Sequence, residues 1–391
     1  MTTRRDVLRN IGAIGCSAAA APLVTPVVFA AAPVDTRLVV IILRGAMDGL
    51  DVVQPYGDPD LSRWRQRLAI GPQNGALDLD GFYALHPALS KLKPLWDAGD
   101  LGLVHAVSTP YRNKRSHFDG QDFLENGGGR VDGQTTSSDD GWINRLLPLM
   151  GGTTAKTAFS VGRARMRLVS GPAQTSSWSP NADLDLSDQA KLLLKLIYAN
   201  DPLFLNAASA AADLSQTMGN SMNARRAGRA EALASFAADR LNEETRIAAF
   251  SLSGFDTHRN QKASLTPALS EVQTAILTLR RRLGRNWDKT AVLAITEFGR
   301  TVAENGTVGT DHGTGGAMIM AGGAIAGGKV RGRWPGLDEA DLFDRRDLMP
   351  TDDLRRFAAW TIRDLFGVRA SDVAAAVFPG VELGDNPGLL L

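Results

Sequence analysis

Three short motifs in the C-terminal half carry side chains able to hold a divalent cation. They are Phe255-Asp256-Thr257-His258, Thr296-Glu297-Phe298-Gly299-Arg300-Thr301 and Gly309-Thr310-Asp311-His312-Gly313. The chain has five histidines in all, and His258 and His312 both stand close to aspartates. Neutral nitrogen and anionic oxygen are the donors that hard or borderline divalent ions take. Alternate residues of an extended segment share a face, so Asp256 and His258 project together. Glu297 adds a carboxylate directly after an apolar run. Arg300 either holds a tetrahedral anion bidentately or closes a buried ion pair at a strand end. The glycines around Asp311 and His312 permit close approach of the backbone to a ligand.

Two N-terminal segments carry further candidates. Arg44-Gly45-Ala46-Met47-Asp48-Gly49-Leu50-Asp51 is a glycine-rich turn with two carboxylates, where Asp48 can anchor a metal or cap the turn. Arg115-Ser116-His117-Phe118-Asp119 opens a helix. A hydroxyl there has exposed amides and the positive end of the helix dipole beside it, and a nearby metal would make it an alkoxide nucleophile. Ser116 is equally a favoured helix cap. Ser108-Thr109-Pro110-Tyr111-Arg112 formally fits the Ser-x-Pro-x-Arg pattern that sulfatases oxidise to formylglycine, with Tyr111 where a small residue is usual. His105, in a buried strand, and His86, at a helix start, read as structural.

These residues need a frame to bring them together. Leu38–Leu43 is a continuous apolar run, the pattern of a strand buried on both faces of a parallel sheet. Similar runs occur at 101–107, 247–252, 290–296 and 317–322. Helical stretches lie between them at about 87–98, 117–126, 186–199, 203–248 and 261–284. Strands alternating with helices indicate an α/β sandwich with a mostly parallel central sheet. Ligands in such sheets bind beyond the carboxyl ends of the strands. Asp48, the 108–117 segment, Asp256/His258 and Glu297 all follow strands, and so fall on one edge. Residues 127–140 read as a surface loop. A single domain over 33–391, with a helical insertion around 186–248, accommodates the rest.

Composition narrows the class. At 391 residues and 44% hydrophobic, the chain can bury a large core. Its formal charge is +1, with +2 of that in the first 32 residues, so no basic excess points to nucleic acid. Those 32 residues combine Arg4-Arg5, a weakly apolar Ala/Gly stretch and small residues at Ala30–Ala32, the composition of a twin-arginine export signal. Pro22 and Pro26 and the short apolar run argue against a membrane anchor. A periplasmic or secreted protein is expected, with the export machinery as a partner. Cys16, the one cysteine, lies inside this leader. The mature chain would therefore hold metal by oxygen and nitrogen alone.

Taken together, the leader, the Asp48 turn, Arg115–Asp119, Gly141-Trp142-Ile143-Asn144-Arg145 and the three C-terminal motifs resemble an exported bacterial family of unknown function, domain of unknown function 1501. The resemblance covers nearly the whole chain. That family is similar to the alkaline phosphatase-like superfamily, which includes sulfatases and metal-dependent phosphoglycerate mutases. It implies a three-layer, alkaline phosphatase-like α/β sandwich. Asp48 matches the superfamily's first-strand Asp and Ser116 its nucleophile. Asp256 and His258 match its middle pair, Glu297 the following acidic position and His312 the last His. The superfamily's middle pair usually has three intervening residues where this chain has Thr257 alone, and Glu297-Phe298 stands in place of an Asp-His dipeptide. The resemblance thus implies one or two divalent ions (zinc, magnesium, manganese or calcium) on Asp48, Asp256, His258, Glu297, Asp311 and His312. Ser116 would attack a phosphate or sulfate ester of a small molecule or polymer, with Arg300 or Arg115 steadying the oxyanion. The alternative is a non-catalytic periplasmic binding or assembly protein on the same fold.

Overall fold

Strand β1, Arg37–Arg44, has its apolar residues fully buried because both of its faces are covered. Val39, Ile41 and Leu43 point into one core, and Leu38, Val40 and Ile42 into the other. Burying side chains of this size stabilises a fold by roughly 1.5–3 kcal/mol each. The computed structural model describes residues 34–112, 114–131, 134–136, 139–162, 166–178 and 228–391. The leader, the helix expected over 186–199 and the 203–227 part of the next lie outside the described residues.

The remaining strands of the main sheet, in chain order, are β2 Leu101–Ser108, β3 Ala158–Val161, β4 Ser176–Trp178, β5 Ile247–Ser253, β6 Thr290–Ile295, β7 Gly316–Ala321, β8 Val330–Arg331 and β9 Asp352–Asp353. Their order is β8-β2-β7-β6-β1-β5-β3-β4, with β9 also paired to β2. β1 runs parallel to β5 and β6, β5 to β3, and β3 to β4. β7 pairs antiparallel with both β6 and β2, so the sheet is mixed but mostly parallel. The α/β sandwich is thus the observed architecture.

Helices on both faces complete the layers. The main ones are α1 His117–Asn126, α2 Trp142–Met150, α3 Arg229–Leu241, α4 Gln261–Leu283 and α5 Leu354–Phe366. α3 and α4 bury Leu233, Ala237, Leu265, Leu269 and Val272 against one face. α2 and α5 bury Trp142, Leu146, Phe357 and Ile362 against the other. Three expectations need correcting. The helix expected to run on to 248 ends at Leu241, because Ile247 and its neighbours are taken into the sheet as β5. The stretch 127–140 is not a plain loop, since Gly129–Val131 pairs with Gln134–Thr136 as a small hairpin. The helix expected over 87–98 opens as 3-10 turns, Pro87–Leu92, before the α-helix Lys93–Ala98. Among the described residues, no helix is long and apolar enough to cross a membrane.

Candidate metal centre

β1, β2, β5 and β6 deliver their carboxyl ends to one edge of the sheet, and the segments that follow them carry the site. β7 runs the other way, so the residues just before it, Asp311 and His312, arrive at that same edge. A backbone bridge between Arg300 and His312 ties the loops after β6 and before β7 together. Two close approaches make the packing possible. At Gly45, where φ is +116°, a Cβ would lie 2.5 Å from the Asp256 amide nitrogen. At Gly309 it would lie 2.3 Å from the His258 carbonyl. No other residue type fits either position without moving the Asp256–His258 loop.

At the centre is Asp256 Oδ1. His258 Nε2 lies 3.0 Å from it, His312 Nε2 3.3 Å, His117 Nε2 3.4 Å and Arg300 Nη1 2.9 Å. One ligand atom from each of His117, Asp256 and His312 falls within 4.8 Å of the others. His258, the more exposed imidazole, joins at the margin, with Nε2 3.0 Å from His312 Nε2.

The outer nitrogens explain what these imidazoles present. His117 Nδ1 donates to Glu297 Oε1 (2.9 Å), His258 Nδ1 to Asp311 Oδ1 (3.0 Å) and His312 Nδ1 to the Arg115 carbonyl (2.7 Å). Carboxylates and carbonyls only accept, so in the neutral state each Nδ1 carries the hydrogen and each Nε2 keeps a lone pair, whereas a protonated ring also donates from Nε2 to Asp256. Three lone pairs and a carboxylate oxygen then face one another. Such donors repel unless a cation or a proton lies between them. Burial lowers the pKa of His312, with the charges of His117 and Arg300 adding to the effect, so a proton is disfavoured there. The buried His117 Nε2 has no hydrogen-bond partner, since its approach to Asp256 is misaligned for one. An imidazole whose far nitrogen is fixed by an oxygen, and whose near nitrogen is free, is the arrangement metal-binding histidines adopt. The residues fit a divalent ion.

The expected residues divide into three groups. Asp256, His258 and His312 are brought together at the centre. Glu297 and Asp311, expected as ligands, stand behind imidazoles. Fully buried Glu297 accepts from Gly45 N, His117 Nδ1, Gln121 Nε2 and Thr296 Oγ1. Burial would raise its pKa, but these bonds, His117's foremost, hold it below the usual range. Asp311 is likewise held low, by His258 and Asn305 against burial. Asp48 lies apart. It caps the short helix Gly49–Val52, and its charge is met inside the protein by Arg65 Nη1 at 2.8 Å and Gln261 Nε2 at 2.7 Å. Arg65 is itself 1% exposed and bonded to the Val302 and Thr301 carbonyls, so Asp48 is paired with a buried cation outside the cluster.

The catalytic candidates divide similarly. Ser116 caps α1, its Oγ accepting from Asp119 N at a long 3.4 Å, and it directly precedes His117. Arg300 is wholly buried, binds Asp256 through Nη1 and Thr310 through Nε, and leaves Nη2 unpaired. Arg115 is half-exposed, reaching Asp347. Ser108 is buried, donates to the Thr109 carbonyl and accepts from Arg112 Nη1, so its hydroxyl is tied into a turn. His105 is buried with Nε2 on the Val53 carbonyl, and burial lowers its pKa to about 4. His86 caps the 3-10 turn at Pro87. The reading from sequence overlooked His117 as a ligand. The signal was available, because the other two histidines outside the C-terminal motifs sit where structure alone explains them.

The fold and the cluster define an α/β protein with an imidazole–carboxylate centre at the edge of its sheet. The chain belongs to the family described as protein of unknown function (DUF1501), whose signature matches residues 73–373. No curated protein matches it. Among solved structures it is similar to a protein in the alkaline phosphatase superfamily from Vibrio parahaemolyticus, at 13% identity and a TM-score of 0.36, over 74% of this chain and 62% of that one. It is also similar to the C-terminal periplasmic domain of EcEptC from Escherichia coli in complex with Zn, at 10% identity and a TM-score of 0.39, over 91% and 92%. The chain therefore spans less than two thirds of the first of these. Likenesses at such scores carry no argument about the chemistry of this site, which rests on its own geometry.

Proposed function

We propose that this chain is an exported metal-dependent hydrolase, or transferase, acting on a phosphate or sulfate ester. The observation that carries the reading is the convergence of three imidazole Nε2 atoms on Asp256 Oδ1. His117, His258, His312 and Asp256 would hold one divalent ion, and zinc suits three imidazoles and a carboxylate best. An ion held there supplies Lewis-acid polarisation of an ester oxygen. Glu297, Asp311 and the Arg115 carbonyl keep the imidazoles in one tautomer and orientation. Arg300 Nη2, unpaired and adjacent to Asp256, would donate to an oxyanion. Ser116, whose hydroxyl accepts only a long cap bond, would attack phosphorus or sulfur as its proton passes to the departing alcohol, and water (or an acceptor alcohol, for a transferase) would then cleave the serine ester. The Arg4-Arg5 leader would route the folded protein out of the cytoplasm.

The test loads the purified chain with zinc, magnesium, manganese or calcium and screens 4-nitrophenyl phosphate and sulfate. Turnover by one metal form, lost in Ser116→Ala and in His312→Ala, is expected. Turnover that survives Ser116→Ala removes the serine from the mechanism. A second reading is favoured by the ion pairs of Asp48 with Arg65 and of Asp256 with Arg300, which satisfy both carboxylates without metal. In that case the chain is a non-catalytic binding or assembly protein. Zinc would then leave its stability unchanged and no ester would turn over.

A further inference from the structure

Beside the metal cluster, a fully buried carboxylate sets two arginines side by side. Asp347 Oδ2 accepts from Arg115 Nη2 at 3.1 Å and from Thr314 Oγ1 at 2.8 Å, while Oδ1 accepts from Arg346 Nη1 at 2.9 Å. Both arginines are also tied to His312. The Arg115 carbonyl takes its Nδ1 hydrogen, and Arg346 Nη1 donates to its carbonyl at 3.0 Å. The pair is thus joined to the side of His312 that faces away from the Nε2 cluster. It neighbours the metal position without coinciding with it.

Most of the donors on these two side chains are unused. Arg115 Nε and Nη1, and Arg346 Nε and Nη2, make no hydrogen bond among the described residues, and the side chains are 34% and 39% exposed. A second carboxylate, the exposed Asp344, stands 3.9 Å from Arg115 Nη2, beyond hydrogen-bond distance, so it offsets charge without using the free donors. The backbone is held out of its ordinary range on both sides. Arg115 has φ +49°, and Asp344 and Arg345, just before Arg346, have +52° and +54°. Two loops that each adopt the left-handed conformation to meet on one buried acid are over-determined by their surroundings, a state concentrated at ligand sites. Planar forks with free N–H groups match the geometry of a carboxylate, phosphate or sulfate.

We infer that Arg115 and Arg346, aligned by Asp347, form an anion subsite next to the metal centre. It takes a second acidic group of the substrate, so the ester processed here carries a carboxylate, phosphate or sulfate in addition to the group that reacts. The substrate part of this inference rests on the ester-hydrolase reading above, whereas the subsite itself does not.

Methylphosphonate, a stable monoanionic-to-dianionic probe, tests it by calorimetry on the full mature chain with and without one equivalent of zinc. Two molecules bound to the zinc form and one to the zinc-free form are expected. Arg346→Gln should reduce these to one and none without changing zinc content, and Arg115→Gln should weaken the zinc-free event at least tenfold. Arg346→Lys keeps a charge at the position and should retain binding in part, which separates loss of the subsite from loss of the fold. Zinc-free binding absent in the wild type, or within twofold of it in both glutamine variants, would overturn the subsite. If zinc adds no second event while the arginine-dependent one remains, the subsite stands and the metal-hydrolase reading falls.

Discussion

At the scale of single residues, the account turns on which nitrogen of each histidine is free. Glu297 fixes His117 from behind, so Glu297→Gln replaces an ionised acceptor with an amide while preserving shape. Zinc affinity should fall about 10–100-fold, the usual loss when such an outer partner is removed. A chelator-competition titration reads it, and an unchanged affinity would place His117 outside the metal's ligands. In the metal-free chain the same contact has a sign that can be checked. Glu297's hydrogen bond, outweighing burial, raises the His117 pKa above the ordinary 6.5, whereas burial lowers that of His312. Ring-proton NMR should find their midpoints on opposite sides of 6.5. By linkage, the contribution of His117 to metal-free stability is full below pH 6.5 and is lost as pH rises through its folded pKa. Metal binding runs the other way, weakening in acid as protons compete for the nitrogens.

At the scale of elements, the loop before β7 controls the site. Asn305 Nδ2 donates to the His258 carbonyl at 3.0 Å and to Asp311 Oδ1 at 3.2 Å, while its Oδ1 accepts from Thr307 and Gly309. One amide thus holds a ligand and the acid that orients it. Asn305→Ala should weaken zinc binding severalfold to tenfold and cost about 1–3 kcal/mol by leaving loop amides unpaired, read by chelator competition and by thermal unfolding. Gly45→Ala should lower the melting temperature as well, since a Cβ there collides with the Asp256 amide. Sequence showed the frame well at this scale. The runs at Leu38–Leu43, 101–107, 247–252 and 290–296 appear as strands because each is apolar on both faces. It hid the direction of β7, because an apolar run reads the same in either direction. The short β3 and β4 escaped notice because Ala158–Val161 and Ser176–Trp178 are too brief to show a period. The site was half legible. Asp256, His258 and His312 stood out by residue type, whereas His117 was masked by Ser116, the more obvious candidate beside it. Only the fold reveals that Asp48 pairs with Arg65 apart from the imidazole cluster, which neither residue's type nor spacing announces.

At the scale of the whole molecule, three separate segments, around His117, Asp256–His258 and His312, must converge before an ion can bind, so metal binding and folding are linked. A ligand that binds only the folded state at 100 times its Kd stabilises it by about 2.7 kcal/mol. Zinc should therefore raise the melting temperature and a chelator should reverse the rise, with Asp256→Ala and His312→Ala insensitive to both. The sharpest check is the metal content of the purified protein after zinc loading and desalting. The account predicts one ion per chain, absent when His117 and His312 are both replaced by alanine. A stable chain that retains no zinc, or retains it equally without those two imidazoles, would contradict it.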